Sequence, residues 1–181
     1  MTLKAGDCFI QPPEIRHRVL EASDNVEVIE IGVPAEHITE IDHEMELPTP
    51  HLRPEREWQG QRFVFNEEAS ATWQPFRIPG FVCRDTTIST NTKGVAGVQV
   101  AKREPGQHIP WTSHDTDILF TFVMEGTMTL EGEGREPFAL EAGDAFVIPP
   151  GYRTRLSAVS ENAELLEVSL PGEFTTVEVE D

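Results

Sequence analysis

The chain contains a copy of part of itself. Residues 1–39 align without a gap onto residues 138–176, and roughly sixteen of those 39 positions are identical. The matches include Ala5-Gly6-Asp7 with Ala142-Gly143-Asp144, Pro12-Pro13 with Pro149-Pro150, and Arg16 and Arg18 with Arg153 and Arg155. A duplicated unit restricts the fold strongly, because one supersecondary pattern has to serve twice. Here the pattern is antiparallel β. A Gly-Asp turn opens a short apolar strand over 8–11 or 145–148, and a Pro-Pro corner stops it, since proline cannot donate to a ladder. An alternating strand over 17–20 or 154–157 follows, then a turn with Asp or Asn, then a strand over 26–33 or 163–170. Short strands with turn signals about every ten residues argue for a β-sandwich or small barrel.

Between the copies the character changes twice. Residues 36–61 are charged and interrupted by proline, and 40–61 are expected to be an acidic linker. Strand patterns resume at 62–65, 82–85, 95–103, 119–124 and 127–131. Glu125-Gly126 between the last two signals a hairpin. Helical periodicity is nearly absent. A length of 181 residues with 38% hydrophobic and 25% charged residues fits one globular domain, or two very small ones.

Charge excludes whole classes of partner. Fourteen basic against 32 acidic residues give a net charge of −18, a field that repels phosphate backbones and anionic lipid surfaces. Nucleic acid and membrane partners are therefore not expected, and no stretch approaches the roughly 20 apolar residues of a membrane span. The opening MTLKAGD has no basic segment followed by an apolar run, so no secretory signal is expected. Cys8 and Cys83 are too few for a disulfide framework. The expectation is a cytoplasmic protein with two reduced thiols.

Two motifs carry a resemblance. GDAFVIPPGYRT is similar to the second signature of the cupin superfamily at Gly143, Pro149 and Gly151, and PGQHIPWTSHDTDILFTFVMEG resembles the first, with Phe122, Val123 and Gly126 in its closing half. Residues 1–39 repeat the second signature at Gly6, Pro12 and His17. The chain thus resembles the tail of one cupin unit followed by a whole one. The resemblance implies an all-β fold, a double-stranded β-helix or jelly-roll barrel, with extra N-terminal strands from a partial second unit. The expected division is a partial unit at 1–39, the linker at 40–61, a complete barrel at 62–176 and an acidic tail at 177–181.

The same resemblance implies where a metal would sit, and the sequence departs from it there. Carried over residue by residue, the ligand positions are Thr112, His114, Leu119 and Thr154. A divalent transition metal needs at least three N, O or S ligands from the protein, and His114 alone is a good one. No cofactor is therefore expected. The alternative is Fe, Mn, Zn or Ni held by His114 with unusual partners, or by His17, which stands at the second-signature ligand position of the first copy. His114 reads first as a leftover histidine hydrogen-bonded inside the barrel mouth, and otherwise as a ligand or an acid/base in a residual pocket.

Strand alternation puts Thr112 and His114 on one face, with Asp117 a rim carboxylate. Trp111, Phe120 and Phe122 are aromatic neighbours of the presumed cavity, where inward rings would favour a flat or apolar ligand. Arg153 and Arg155 are expected to point outward onto surface glutamates, and Cys83 to be inert. His37, His43, Glu44, Glu46 and His51 fit no compact metal spacing and read as solvated linker. The candidate ligand pocket is Thr112, His114, Leu119, Thr154, Trp111 and Phe122. Two functions remain open: a small-molecule-binding or structural module with a degenerate metal site, or a metal-dependent enzyme of dioxygenase or isomerase type. A small-molecule ligand and a homodimer are the expected partners.

Overall fold

Apolar runs become strands here only where a neighbour takes up their backbone hydrogen bonds. The computed structural model describes residues 1–34, 36, 38, 40–41, 43–44, 46, 50–51 and 53–180. In chain order its first strands are β1 (Cys8–Ile10), β2 (Glu57–Trp58), β3 (Gln61–Arg62), β4 (Val64–Asn66), β5 (Gln74–Pro75), β6 (Phe81–Asp85), β7 (Gly97–Arg103) and β8 (Trp111–His114). Then come β9 (Ile118–Glu125), β10 (Thr127–Gly132), β11 (Phe138–Glu141), β12 (Ala145–Ile148), β13 (Thr154–Ser157), β14 (Glu164–Leu170) and β15 (Thr176–Val179). One short helix, α1 (Ile88–Asn91), and a 3-10 turn at Glu68–Ser70 are the helical content of the described residues.

Two antiparallel sheets face each other, in the orders β11-β10-β13-β8-β15 and β12-β9-β14-β7-β6-β5. β14 lies inside the second sheet, paired with β7 on one side and β9 on the other. Its alternation builds two cores. Leu165 joins Phe81, Cys83, Ala101 and Val123 between the sheets, where Met128 and Leu156 meet them from the opposite side. Leu166 and Val168 face the other way and pack with Val100 under Cys8, Trp73, Phe120, Phe122 and Met124. Each such side chain contributes about 1.5–3 kcal/mol by leaving water.

Glu125-Gly126 does not close a hairpin, because β9 and β10 belong to different sheets. It is a corner. Gly126 has φ +81°, and a Cβ there would lie 2.8 Å from Ala163 Cα. Only glycine combines that left-handed backbone with so close an approach.

The N-terminal copy departs from expectation. β1 forms and pairs with β4, but the strands expected at 17–20 and 26–33 do not. The reason is partnership: their counterparts β13 and β14 use β7, β8, β9 and β10, and those strands are already occupied. The barrel's far end differs as well. Residues 176–179 form β15 against β8, so most of the expected acidic tail is a sheet edge. The two facing sheets start at Gln74 rather than at 62, and the end of the expected linker carries the β2–β3 hairpin. Arg84, 1% exposed, fastens β1 to the outer face. Its guanidinium donates to Gly6 O and to Asn66 Oδ1, and lies against Cys8 Sγ.

Candidate functional site

The residues at the four positions implied by the resemblance converge. Thr112 and His114 from β8, Leu119 from β9 and Thr154 from β13 line one cavity between the sheets, and Thr154 stands opposite Thr112 in register. The cavity measures about 20 Å³, room for one water-sized molecule. On the outer side His114 also lines an open depression of about 470 Å³ with Ser113, Asp115, Pro150, Gly151, Thr175 and Val177. That volume falls in the range of small-molecule pockets.

His114 is 5% exposed. Burial, and then the positive charge of Arg77, hold its pKa below the ordinary value of 6.5. The ring is therefore neutral near pH 7. Nε2 lies 3.1 Å from Ile148 O, so the satisfied tautomer donates Nε2–H to that carbonyl and leaves Nδ1 as the acceptor. Nδ1 is buried and has no hydrogen-bond partner among the described residues. Phe174 packs edge-on against the ring, centroid to centroid 6.1 Å.

Sequence reasoning missed an ion pair in the same cavity. Arg77, from the loop between β5 and β6, donates Nε–H to Glu167 Oε1 at 2.7 Å and a second N–H to Glu167 Oε2. Its remaining nitrogen reaches Thr176 Oγ1 at 3.3 Å. The guanidinium carbon sits 5.3 Å from the Phe76 ring centroid and 5.6 Å from that of Phe174. The signal for Glu167 was available, since it lies two residues from Leu165 on β14 and shares its inward face. Arg77 belongs to no motif and no period.

Two expected pocket residues point elsewhere. Phe122 is three residues from Leu119 along β9 and packs in the outer core. Trp111 neighbours Thr112 and faces away from it, under the Arg155 guanidinium at 5.0 Å. His17 takes no place at the cavity. It is exposed, with Nδ1 3.1 Å from Ile15 O. Asp117 is exposed, and Arg153 and Arg155 reach Glu133 and Glu131 at 2.8 and 2.6 Å. Cys83 is buried, which pushes its thiol pKa up. His37 lies outside the described residues.

The donor set does not fit a divalent transition metal. Two threonines, a leucine and one imidazole stand where ligands would be needed, and both oxygens of Glu167, the carboxylate that lines the cavity, are engaged by Arg77. Among the described residues, no three or more His, Cys, Asp or Glu come together in one group.

A two-sheet jelly roll with a narrow interior carrying one histidine and one buried ion pair defines the class. Residues 99–169 match the profile of the Cupin domain family, which makes that stretch of the barrel a cupin domain. Among solved structures it is similar to the polyketide cyclase RemF from Streptomyces resistomycificus, with TM-score 0.54, 20% identity, and coverage of 64% of this chain and 84% of that one. It is also similar to Streptomyces Pac13 with uridine, described as a nucleoside dehydratase, with TM-score 0.49, 15% identity and coverage of 62% and 87%. KdgF from a Halomonas species matches with TM-score 0.45, 20% identity and coverage of 57% and 91%. No curated protein matches the chain.

Proposed function

We propose that the chain is a small-molecule-binding cupin whose barrel takes its ligand through side chains, without a resident transition metal. The observation behind this reading is His114 Nδ1, a buried acceptor with no partner among the described residues, on a histidine that lines both the inner cavity and the outer depression. Leaving such a group unpaired costs about 1–3 kcal/mol. A ligand O–H or N–H at this point recovers that cost, which favours a small molecule that donates a hydrogen bond to His114. A polyketide cyclase with the same fold is in keeping with small organic molecules as the ligand class. The cytoplasm is the proposed compartment.

The test is a small-molecule thermal-shift screen on wild type and His114→Ala, with elemental analysis of protein purified without chelators. The expected result is hits that disappear in His114→Ala and far less than one transition metal per chain. Near-stoichiometric Fe, Mn, Zn or Ni that is lost in His114→Ala would overturn the metal-free reading and favour a dioxygenase- or isomerase-type enzyme. Restoring Thr112→His, Leu119→Gln and Thr154→His together should create metal affinity, because those positions share one cavity.

We also propose a homodimer to which the N-terminal segment contributes. Val19, Leu20, Val28, Ile29 and Ile31 are each exposed, and uncovered apolar side chains favour association. Deleting residues 1–45 and measuring solution mass tests it. A soluble deletion variant with the parent's oligomeric mass would exclude these residues from the interface.

A further inference from the structure

If the barrel is a small-molecule site, its ion pair sets the class of molecule it takes. Glu167 is the one carboxylate among the described residues lining the inner cavity. Its position is fixed, because β14 is hydrogen-bonded on both sides. Arg77 is placed differently. It enters from a loop, and its side chain keeps 15% exposure at the rim. Its neighbours Phe76 and Ile78 are buried in the core, so the backbone stays while the side chain is free to swing outward by rotation about its own bonds.

This asymmetry decides which charge the interior accepts. An anionic ligand would have to replace Glu167 on Arg77, and an immobile buried carboxylate would then face it unpaired. A cationic ligand replaces Arg77 instead. Glu167 keeps a counter-charge and the displaced guanidinium enters water, where it needs no partner. The place vacated has the features of a site for a planar or compact cation: a carboxylate able to take two hydrogen bonds, a hydroxyl at Thr176, and the Phe76 and Phe174 rings. The net charge of −18 draws cations to the mouth.

We infer that the barrel interior recognises a small organic cation bearing a guanidinium or primary ammonium group, and that Arg77 is the occupant such a ligand displaces. Arg77 thereby closes the barrel in the absence of ligand and sets an affinity threshold through competition.

The probe is methylguanidinium, with acetate and matched sodium chloride as controls, and the readout is the NMR signal of the His114 ring. In the wild type methylguanidinium should shift that signal saturably. In Arg77→Ala it should bind at least about tenfold more tightly, equivalent to about 1.4 kcal/mol, and Glu167→Gln should abolish the response. Should Arg77→Ala fail to fold, Arg77→Lys keeps the charge but loses the two-pronged geometry, and it too should bind the probe more tightly than wild type. Equal affinity in wild type and the Arg77 variants, a response surviving Glu167→Gln, or preference for acetate would each overturn the inference. If uncharged or anionic compounds move the His114 signal and methylguanidinium does not, the cationic assignment fails and the small-molecule reading stands. If no compound of any charge moves it, that reading itself fails.

Discussion

Residues 1–34 and 138–171 share their turns and differ in nearly everything else. Asp7 N–H donates to Lys4 O at 3.1 Å, and Asp144 N–H to Glu141 O at 3.0 Å. In each turn the aspartate Oδ2 accepts the returning backbone N–H at 2.8 Å. Past the Pro-Pro corner Ile15 N–H reaches Pro12 O at 3.3 Å, where Tyr152 N–H reaches Pro149 O at 3.2 Å. Glu14 takes φ +66° where Gly151 takes +75°. The last turn repeats as well, with Val26 on Ser23 and Ala163 on Ser160. Each copy has a strand before the Pro-Pro corner, β1 or β12, but beyond it one copy has β13 and β14 and the other has no regular strand. Val28 is 69% exposed, whereas its counterpart Leu165 is 3% exposed. Turns are specified locally, by side chains that hydrogen-bond their own backbone. A strand also needs a neighbour, which sequence similarity alone does not supply.

Paired substitutions at equivalent positions test that contrast. The largest difference is expected at Glu167 and its counterpart Glu30. Glu167→Gln takes from Arg77 the partner that holds it inside the barrel and should cost about 3 kcal/mol, whereas Glu30→Gln in the exposed copy should stay within about 0.5 kcal/mol. Urea denaturation of the two variants measures this, and equal losses would mean that the copies share one environment. Next comes the core. Leu165→Ala should lose about 2–5 kcal/mol, and Val28→Ala about 0.5 kcal/mol or less.

The turns should erase the difference. Asp144→Ala and Asp7→Ala each remove the same local hydrogen bond and should each cost about 1 kcal/mol. Asp7 also accepts from Glu68 N–H at 3.0 Å, so its loss should be slightly the larger. A change at Asp7 without effect would show the first turn to be unformed. The smallest effect is on pH. The unfolded chain protonates His114 at its ordinary value of 6.5, and the folded chain does so only lower. Between the two the unfolded state binds more protons, so stability should decline as pH falls through 6.5 and level off below the folded value. His114→Gln should flatten this profile in urea melts, and a wild type that gains stability on acidification would contradict the buried neutral ring.

The same contrast separates what was legible in the sequence from what was not. Short antiparallel strands could be read because turn residues and strand alternation are local. The jelly roll and the positions Thr112, His114, Leu119 and Thr154 came from the resemblance to cupin signatures, with Thr112 and His114 put on one face because an inward face repeats every second residue. Phe122 and Trp111 were misassigned against that very rule, each lying an odd number of steps from an inward neighbour. Glu167 was within reach of the rule and looked like surface only because its residue type is usually exposed. Arg77 was out of reach, since a loop side chain that meets a strand 90 residues away leaves no trace in spacing. The missing strands of the first copy were hidden for the same reason: pairing is a property of the whole chain.

The clasp that Arg84 makes around Gly6 and Cys8 separates covalent continuity from structural unity. Arg16 and Arg18 lie on the exposed stretch beyond β1, where trypsin meets no ladder to open first. A cut there leaves the first residues held by β4 and by the Arg84 guanidinium rather than by a peptide bond. The nicked molecule should thus be two polypeptides that travel as one particle until the short β1–β4 ladder and the Arg84 contacts open.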